Sequence, residues 1–394
     1  MFKYLRFYFF TLLYILGTTV SFVLGGAWMW YGTAFTFIVG IGFDLVFKIR
    51  DTSDPHYGHP WIMDALLHLN TALSVVMLTL FVWAMSPTDL FGIGAWVQAH
   101  YGYDALKMRS ANTTIDYLGA AYSLGFVLAI ETMVIGHELV SRTWDPLSMF
   151  TGRWAFALMF GTNFATEHVF GHHNNVGYPE LDPVSVRRGR NFYYFTTIGT
   201  VHQWVNGWEI EVKRLARNGK SIFSLDNQIL RAWLRGLFVV ALIVWAAGWK
   251  GFGYYFIAIV VAKVLLESLN YFSHYGIVRE KGVPIAVRHT FSDLSWMSNI
   301  LMYNLGRHGH HHFEPVPYHK CKAYANMPMT PYSYITMGLI SLIPPLYFKL
   351  MVPVVKEWDS KYATPGERAL AQKANAESGI LEFSAEEGVA AAVH

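Results

Sequence analysis

Six long apolar runs punctuate the chain, at about 7–26, 28–48, 62–85, 114–136, 228–249 and 252–274. Each holds roughly 20 residues, the length at which an α-helix rising ~1.5 Å per residue crosses ~30 Å of hydrocarbon. Lipid offers no partner to backbone N–H and C=O groups, so uncharged runs of this length predict spanning helices. The expected fold is all-α, an integral membrane six-helix bundle. From about 140 to 225 the pattern turns polar and reads as helices outside the bilayer, broken by the turn YPELDPVS with Pro179 and Pro183. Within it, IEVKRLARNGKS has helical spacing and stops at Gly219. An apolar stretch at about 331–352 contains Pro344 and Pro345, so an amphipathic or re-entrant element is expected there rather than a crossing. From about 363 the chain is rich in Ala and Glu, which predicts a mobile tail or a weak helix. Residues 1–362 then form one membrane domain and 363–394 a flexible C-terminal tail.

Composition agrees with the pattern. The 394 residues are 53% apolar and 14% charged, against roughly 25% charged in a soluble domain. Lys and Arg orient the bundle. Lys3 and Arg6 precede the first run, and Lys48 and Arg50 follow the second. Arg142, Arg153, Arg187, Arg188, Arg190, Lys213, Arg214, Arg217 and Lys220 fill the long polar segment, and Arg279 and Lys281 follow the sixth run. Only Lys107, Arg109 and Lys250 fall on the other side. The positive-inside rule then places both termini and the polar segments in the cytoplasm, forming a helical cap. A bacterial inner membrane is the expected location. No signal-peptide pattern precedes the first run, which is expected to be retained. Cys321 is the sole cysteine, which excludes disulfides, iron–sulfur clusters and a fused rubredoxin-type site. The net charge of +3 is small, and nothing in it suggests nucleic acid.

Histidines carry the chemistry. Eight of them lie in four places: His137 in GHELVSR, His168, His172 and His173 in EHVFGHH, His274 in NYFSHYG, and His308, His311 and His312 in RHGHHH. Imidazole is a ligand for iron, copper, nickel or zinc. Under the charge-derived topology all four places converge on one face of the bundle. On a regular helix His168 and His172 share a face while His173 points ~100° away, which lets three adjacent ligands reach two ions. Eight imidazoles exceed what one ion takes, about four to six, so two ions sharing them is the arithmetic that fits. A hydrolytic zinc site needs fewer protein ligands. A metal transporter would place its ligands near the bilayer midplane rather than at one surface. Spacing alone does not name the metal.

These residues resemble the membrane alkane 1-monooxygenases and the xylene and cymene methyl hydroxylases of the fatty-acid-desaturase superfamily. The matching pieces are HEL at 137–139, EHVFGHH at 167–173, PELDPVS at 179–185, NYFSHYG at 270–276, WMSN at 296–299, LGRHGHHH at 305–312 and LIPPLYF at 342–348. The resemblance implies a non-haem di-iron membrane hydroxylase that activates O2 and converts an unactivated methyl group to a primary alcohol. It implies two iron ions, with no haem, flavin or iron–sulfur cluster in this chain. Electrons would come from a rubredoxin or ferredoxin-type donor with an NAD(P)H reductase, since the chain has no cysteine cluster or nucleotide-binding pattern. Arg187, Arg188, Arg190, Lys213, Arg214 and Arg217 are the expected docking surface for an acidic carrier, or alternatively a patch that meets anionic lipid. A fatty-acyl desaturase or decarboxylase of the same superfamily is the alternative reading.

The chain departs from that family in its first box, where Ser141 stands at the position of a second histidine. Water or a neighbour could complete the sphere, with Glu138, His202, His310 and His319 as candidates; Glu138 is also the candidate catalytic carboxylate. The other reading is a more open iron. Glu267 and Asn270 share a helical stripe with His274 and are expected to back the ligands. Glu131 lies further from the His137 face. Asp64 and His68, one turn apart, are expected to bond each other, while His56 and His59 read as solvated loop residues.

Overall fold

The computed structural model describes residues 2–384, and among them it is helical throughout, with two isolated β-bridges and no strand. Among the described residues, five helices are long and apolar enough to cross a membrane: Lys3–Leu24, Gly26–Phe47, Trp61–Met85, Thr114–Ser141 and Gln228–His274. The last has 47 residues, which at ~1.5 Å per residue is more than twice ~30 Å of hydrocarbon. It is not one rod. Gly248, at φ 63° and ψ −168°, lies outside helical space and divides it into two arms, a conformation that an L side chain resists. The fifth and sixth apolar runs are these arms.

The Thr114–Ser141 helix is the centre of the bundle, with 89% of its most apolar stretch buried against 22% for Gln228–His274. It starts at a reciprocal capping box between Thr113 and Asp116. The second arm of the long helix lies directly against it: a Cβ on Gly125 would stand 2.8 Å from the Ala258 carbonyl, so only glycine allows that approach. A π turn at Leu128–Thr132 swings Glu131 into the core. There Tyr303 donates at 2.6 Å and Asn70 at 2.9 Å to its carboxylate, pinning three elements together.

Beyond the apolar helices, Asp145 caps Pro146–Ala157, which packs beneath the end of the central helix. The 331–352 stretch is two short helices, Tyr334–Ile340 and Pro344–Glu357, with Pro344 opening the second. At 7 and 14 residues, neither has the ~20 residues that a crossing takes.

Of the two expectations for the tail, a mobile segment or a weak helix, residues 365–377 follow the second. Pro365–Glu377 is a capped helix docked on the protein. Its Glu367 is buried and accepts from His289 at 2.7 Å and from Arg288 at 3.0 Å. Burial alone would raise that carboxyl, but the bonds from His289 and Arg288 prevail and hold it far below the usual range. An Ala/Glu-rich segment looks weak by composition because its partners lie 78 and 79 residues away in the chain. Residues 385–394 of the expected tail lie outside the described residues.

Candidate metal centre

Four elements bring the histidines to one place. His137 stands one turn from the end of the central helix, and His274 is the last residue of the long one. His308, His311 and His312 occupy the single turn His308–Phe313. His168–His172 is a π turn in which the His173 N–H bonds back to the His168 carbonyl. This extra residue per turn corrects the α-helical phase expected from sequence. Instead of pointing away, His173 returns beneath His168, with ring centroids 4.8 Å apart. Such turns often occur at functional sites because they re-aim one side chain without ending the helix.

The eight rings form one continuous cluster with two foci. Ligand atoms of His137, His173 and His311 lie within 4.8 Å of one another, as do those of His172, His274 and His312. His168 leans on the first focus, its Nε2 2.5 Å from that of His137, and His308 on the second, its Nε2 3.0 Å from that of His312. Apart from partly buried His173, every ring is at most 6% exposed. Burial first, then neighbouring imidazoles, pulls His168, His308, His311 and His312 far below the usual range, and His173 down to about 3. These rings are neutral at pH 7 and keep their lone pairs. Both nitrogens of His274 and of His311, and one each of His168, His172, His173, His308 and His312, are buried without a hydrogen-bond partner. Buried polar atoms are rarely left so. A set of converging neutral imidazoles with orphaned nitrogens fits metal cations.

Two side chains that sequence reasoning passed over back this cluster. Asp182, within the quoted PELDPVS turn, accepts from His172 Nδ1 at 2.8 Å and from Ser185 and the Val184 N–H. The Tyr318 hydroxyl meets His137 Nδ1 across 181 residues of chain. The proline turn after the second box was the available signal for Asp182. None marked Tyr318.

Other expectations are corrected. Glu138 faces away from the imidazoles and binds Arg142 at 2.5 and 2.8 Å, and Arg142 reaches on to Asp64 at 2.7 Å. Asp64 therefore does not pair with His68, which bonds Thr151. Glu267 accepts from Gln203 and Lys263, and Asn270 bonds Glu267, so neither backs His274, whose nitrogens remain orphaned. His310 is held by Glu314 and the Lys322 N–H, His319 lies beside Asp64, and His202 is exposed. His319 Nε2 is buried without a partner, but none of these residues belongs to either focus of converging ligand atoms. Of the basic residues, Arg188 is only 4% exposed and binds Asp359 and the Gly276 carbonyl. It holds the C-terminal segment and takes no part in the exposed basic surface. Arg187, Arg190, Lys213 and Arg217 are exposed, and Arg214 is partly engaged with Glu211.

The fatty acid desaturase family model matches residues 114–340, from the central helix through the last histidine box. The chain belongs to the fatty acid desaturase family. It is 33% identical to alkane 1-monooxygenase 1 of Pseudomonas aeruginosa over 61% of this chain and 64% of that protein, just under two thirds of the relative's length. It is 30% identical to alkane 1-monooxygenase 2 of the same organism over 74% of this chain and 73% of the relative. The hydroxylase component of xylene/toluene monooxygenase from Pseudomonas putida matches at 28% identity over 91% of both chains. The resemblance read from the boxes is thus upheld by matches reaching well outside them.

Proposed function

We propose that this multi-pass membrane protein is a non-haem di-iron monooxygenase that hydroxylates an unactivated methyl group of a hydrocarbon, aliphatic or on an aromatic ring, to a primary alcohol. The observation that carries the reading is the buried double focus of eight converging imidazoles at the end of an apolar bundle. His137, His168, His173 and His311 would hold one ion, and His172, His274, His308 and His312 the other. Iron held there would supply activation of O2, with electrons delivered from a carrier, so that one oxygen atom enters the C–H bond and the other leaves as water. The relatives' names, alkane and xylene/toluene monooxygenases, support the substrate class.

The chain's own residues do the rest. Phe272, Met302, Tyr334, Ile130 and Met133 line a small apolar cavity of about 30 Å³ inside the bundle. Tyr334 separates it from the metal centre, its ring 6.4 Å from that of His308. These walls are apolar, but the cavity is far below the ~300–1,000 Å³ of a ligand pocket, so a hydrocarbon arriving from the bilayer would have to part them. Counting both arms of the long helix gives six crossings, with the histidines and most Lys and Arg on the cytoplasmic face of an inner membrane. Electrons would arrive there from a rubredoxin- or ferredoxin-type carrier and its NAD(P)H reductase.

The test is metal analysis of the purified protein beside product analysis. Two irons per chain, and primary alcohols from alkanes or methylarenes when a carrier and reductase are supplied, are expected. Zinc in place of iron, or unsaturated acyl products alone, would overturn the reading.

A further inference from the structure

The two foci have different surroundings. A metal-bound imidazole uses one nitrogen, and a partner on the other sets its tautomer, orientation and basicity. His172 gives Nδ1 to Asp182, leaving the orphaned Nε2 to face the cluster. The Asp182 carboxylate is 1% exposed and is pinned by Ser185 and the Val184 N–H. His137 meets a neutral phenol instead, Tyr318, also buried, and its Nε2 faces His168. On that same side the helix offers Ser141, one turn after His137. Its hydroxyl donates to the His137 carbonyl at 2.8 Å, and none of Glu138, His202, His310 or His319 belongs to either focus of ligand atoms.

We propose that Asp182 and Tyr318 are positioning residues that make the two metal positions unequal: a carboxylate-backed, closed position at His172, His274 and His312, and a phenol-backed position at His137, His173 and His311 that is left open at Ser141 to a small exogenous ligand. The inference rests on the two-ion reading above. It adds which ion is held more firmly and which accepts the small molecule. A carboxylate behind an imidazole makes it a stronger donor than a phenol does, so the closed position keeps its metal longer.

The experiment uses the full chain, purified in detergent and loaded with ferrous iron. Iron release to an excess of a coloured ferrous chelator is followed against time. The wild type is expected to release its ions in two phases. Asp182→Asn should speed one phase about 10–100-fold and spare the other, with Asp182→Glu restoring it, the range typical of lost outer partners. Tyr318→Phe should speed the other phase, so only the double variant loses both ions quickly. Nitric oxide, a small probe of open ferrous positions, should give its paramagnetic resonance signal in the wild type and in Asp182→Asn. It should lose that signal in Ser141→His, where imidazole fills the position. Equal acceleration of both phases by Asp182→Asn, a double variant that still holds one ion firmly, or an unchanged signal in Ser141→His would overturn the proposal. Should Asp182→Asn not fold, Tyr318→Phe and Ser141→His still decide: the first must spare one phase and the second must lose the signal. A purified wild type with one iron or none refutes the two-ion reading itself, before any variant is compared.

Discussion

The Ser141 hydroxyl donates to the backbone carbonyl of His137, 2.8 Å away and one helical turn back. A residue four positions on shares the face of its predecessor, so Ser141 sits where a further ligand to the His137 ion would belong, yet it spends its only donor on its own helix. Ser141→His is therefore expected to keep the full metal content while lowering product yield at least about tenfold. Metal and product measured on the same preparations check this, and undiminished yield would show that the position is merely a lost ligand.

Proximity in sequence does not decide which histidines matter. His310 lies inside the last box but turns to Glu314 and the Lys322 N–H, whereas its neighbour His311 has both nitrogens orphaned in the cluster. His311→Ala and His274→Ala should each lower bound metal per chain, while His310→Ala and His319→Ala should leave it unchanged. Elemental analysis after gel filtration separates the two sets.

Glu138 is expected to act on stability. Its carboxylate and Arg142 are both buried and bonded to each other. Glu138→Gln removes one of the two carboxylates on Arg142 and leaves Asp64 as its partner, so the cost is that of a hydrogen bond to a charged group, about 1.5–3 kcal/mol. Glu138→Gln should lower the melting temperature in detergent yet retain metal at its normal ratio. Loss of one ion with unchanged melting would instead make Glu138 a ligand.

The docked C-terminal helix gives a pH-dependent prediction. Because Glu367 titrates lower in the folded than in the unfolded chain, its contribution is complete above the unfolded value of ~4.3 and fades as pH falls from there. Glu367→Gln should destabilise by about 1.5–3 kcal/mol at pH 7, the range for a hydrogen bond to a charged group. The difference from wild type should shrink below pH ~4. Melting curves of both proteins at several pH values provide the measurement; a gap that widens in acid would contradict the assigned sign.

Electron supply separates the basic residues. With NADH and O2 alone the purified chain is expected to show no turnover. Charge reversal at exposed Arg187 and Arg190 should slow reduction by an acidic carrier, and added salt should erase the difference, since attraction of this kind is screened. Arg188→Glu should instead release the C-terminal helix, read as faster proteolysis near residue 365. Salt-independent reduction in the Arg187 and Arg190 variants would leave those residues to lipid.

Sequence alone determined what depends on local pattern. Apolar runs of ~20 residues call for helices in a bilayer, Pro344 and Pro345 disfavour a further crossing, and four histidine boxes at helix ends point to a candidate metal centre and its family. These features follow from backbone hydrogen bonding, from ring chemistry and from spacing, all written in consecutive residues. The tertiary structure decided everything that joins distant residues. It bent the long helix at Gly248 and wound His168–His172 as a π turn, so that His173 faces inward. It set Tyr318 against His137 and Asp182 against His172, while turning Glu138, Glu267 and His310 to other partners. It docked a weak-looking tail through Glu367. Periodicity states which face of a helix a residue occupies, but a partner on that face is supplied by another element, and only packing selects which one.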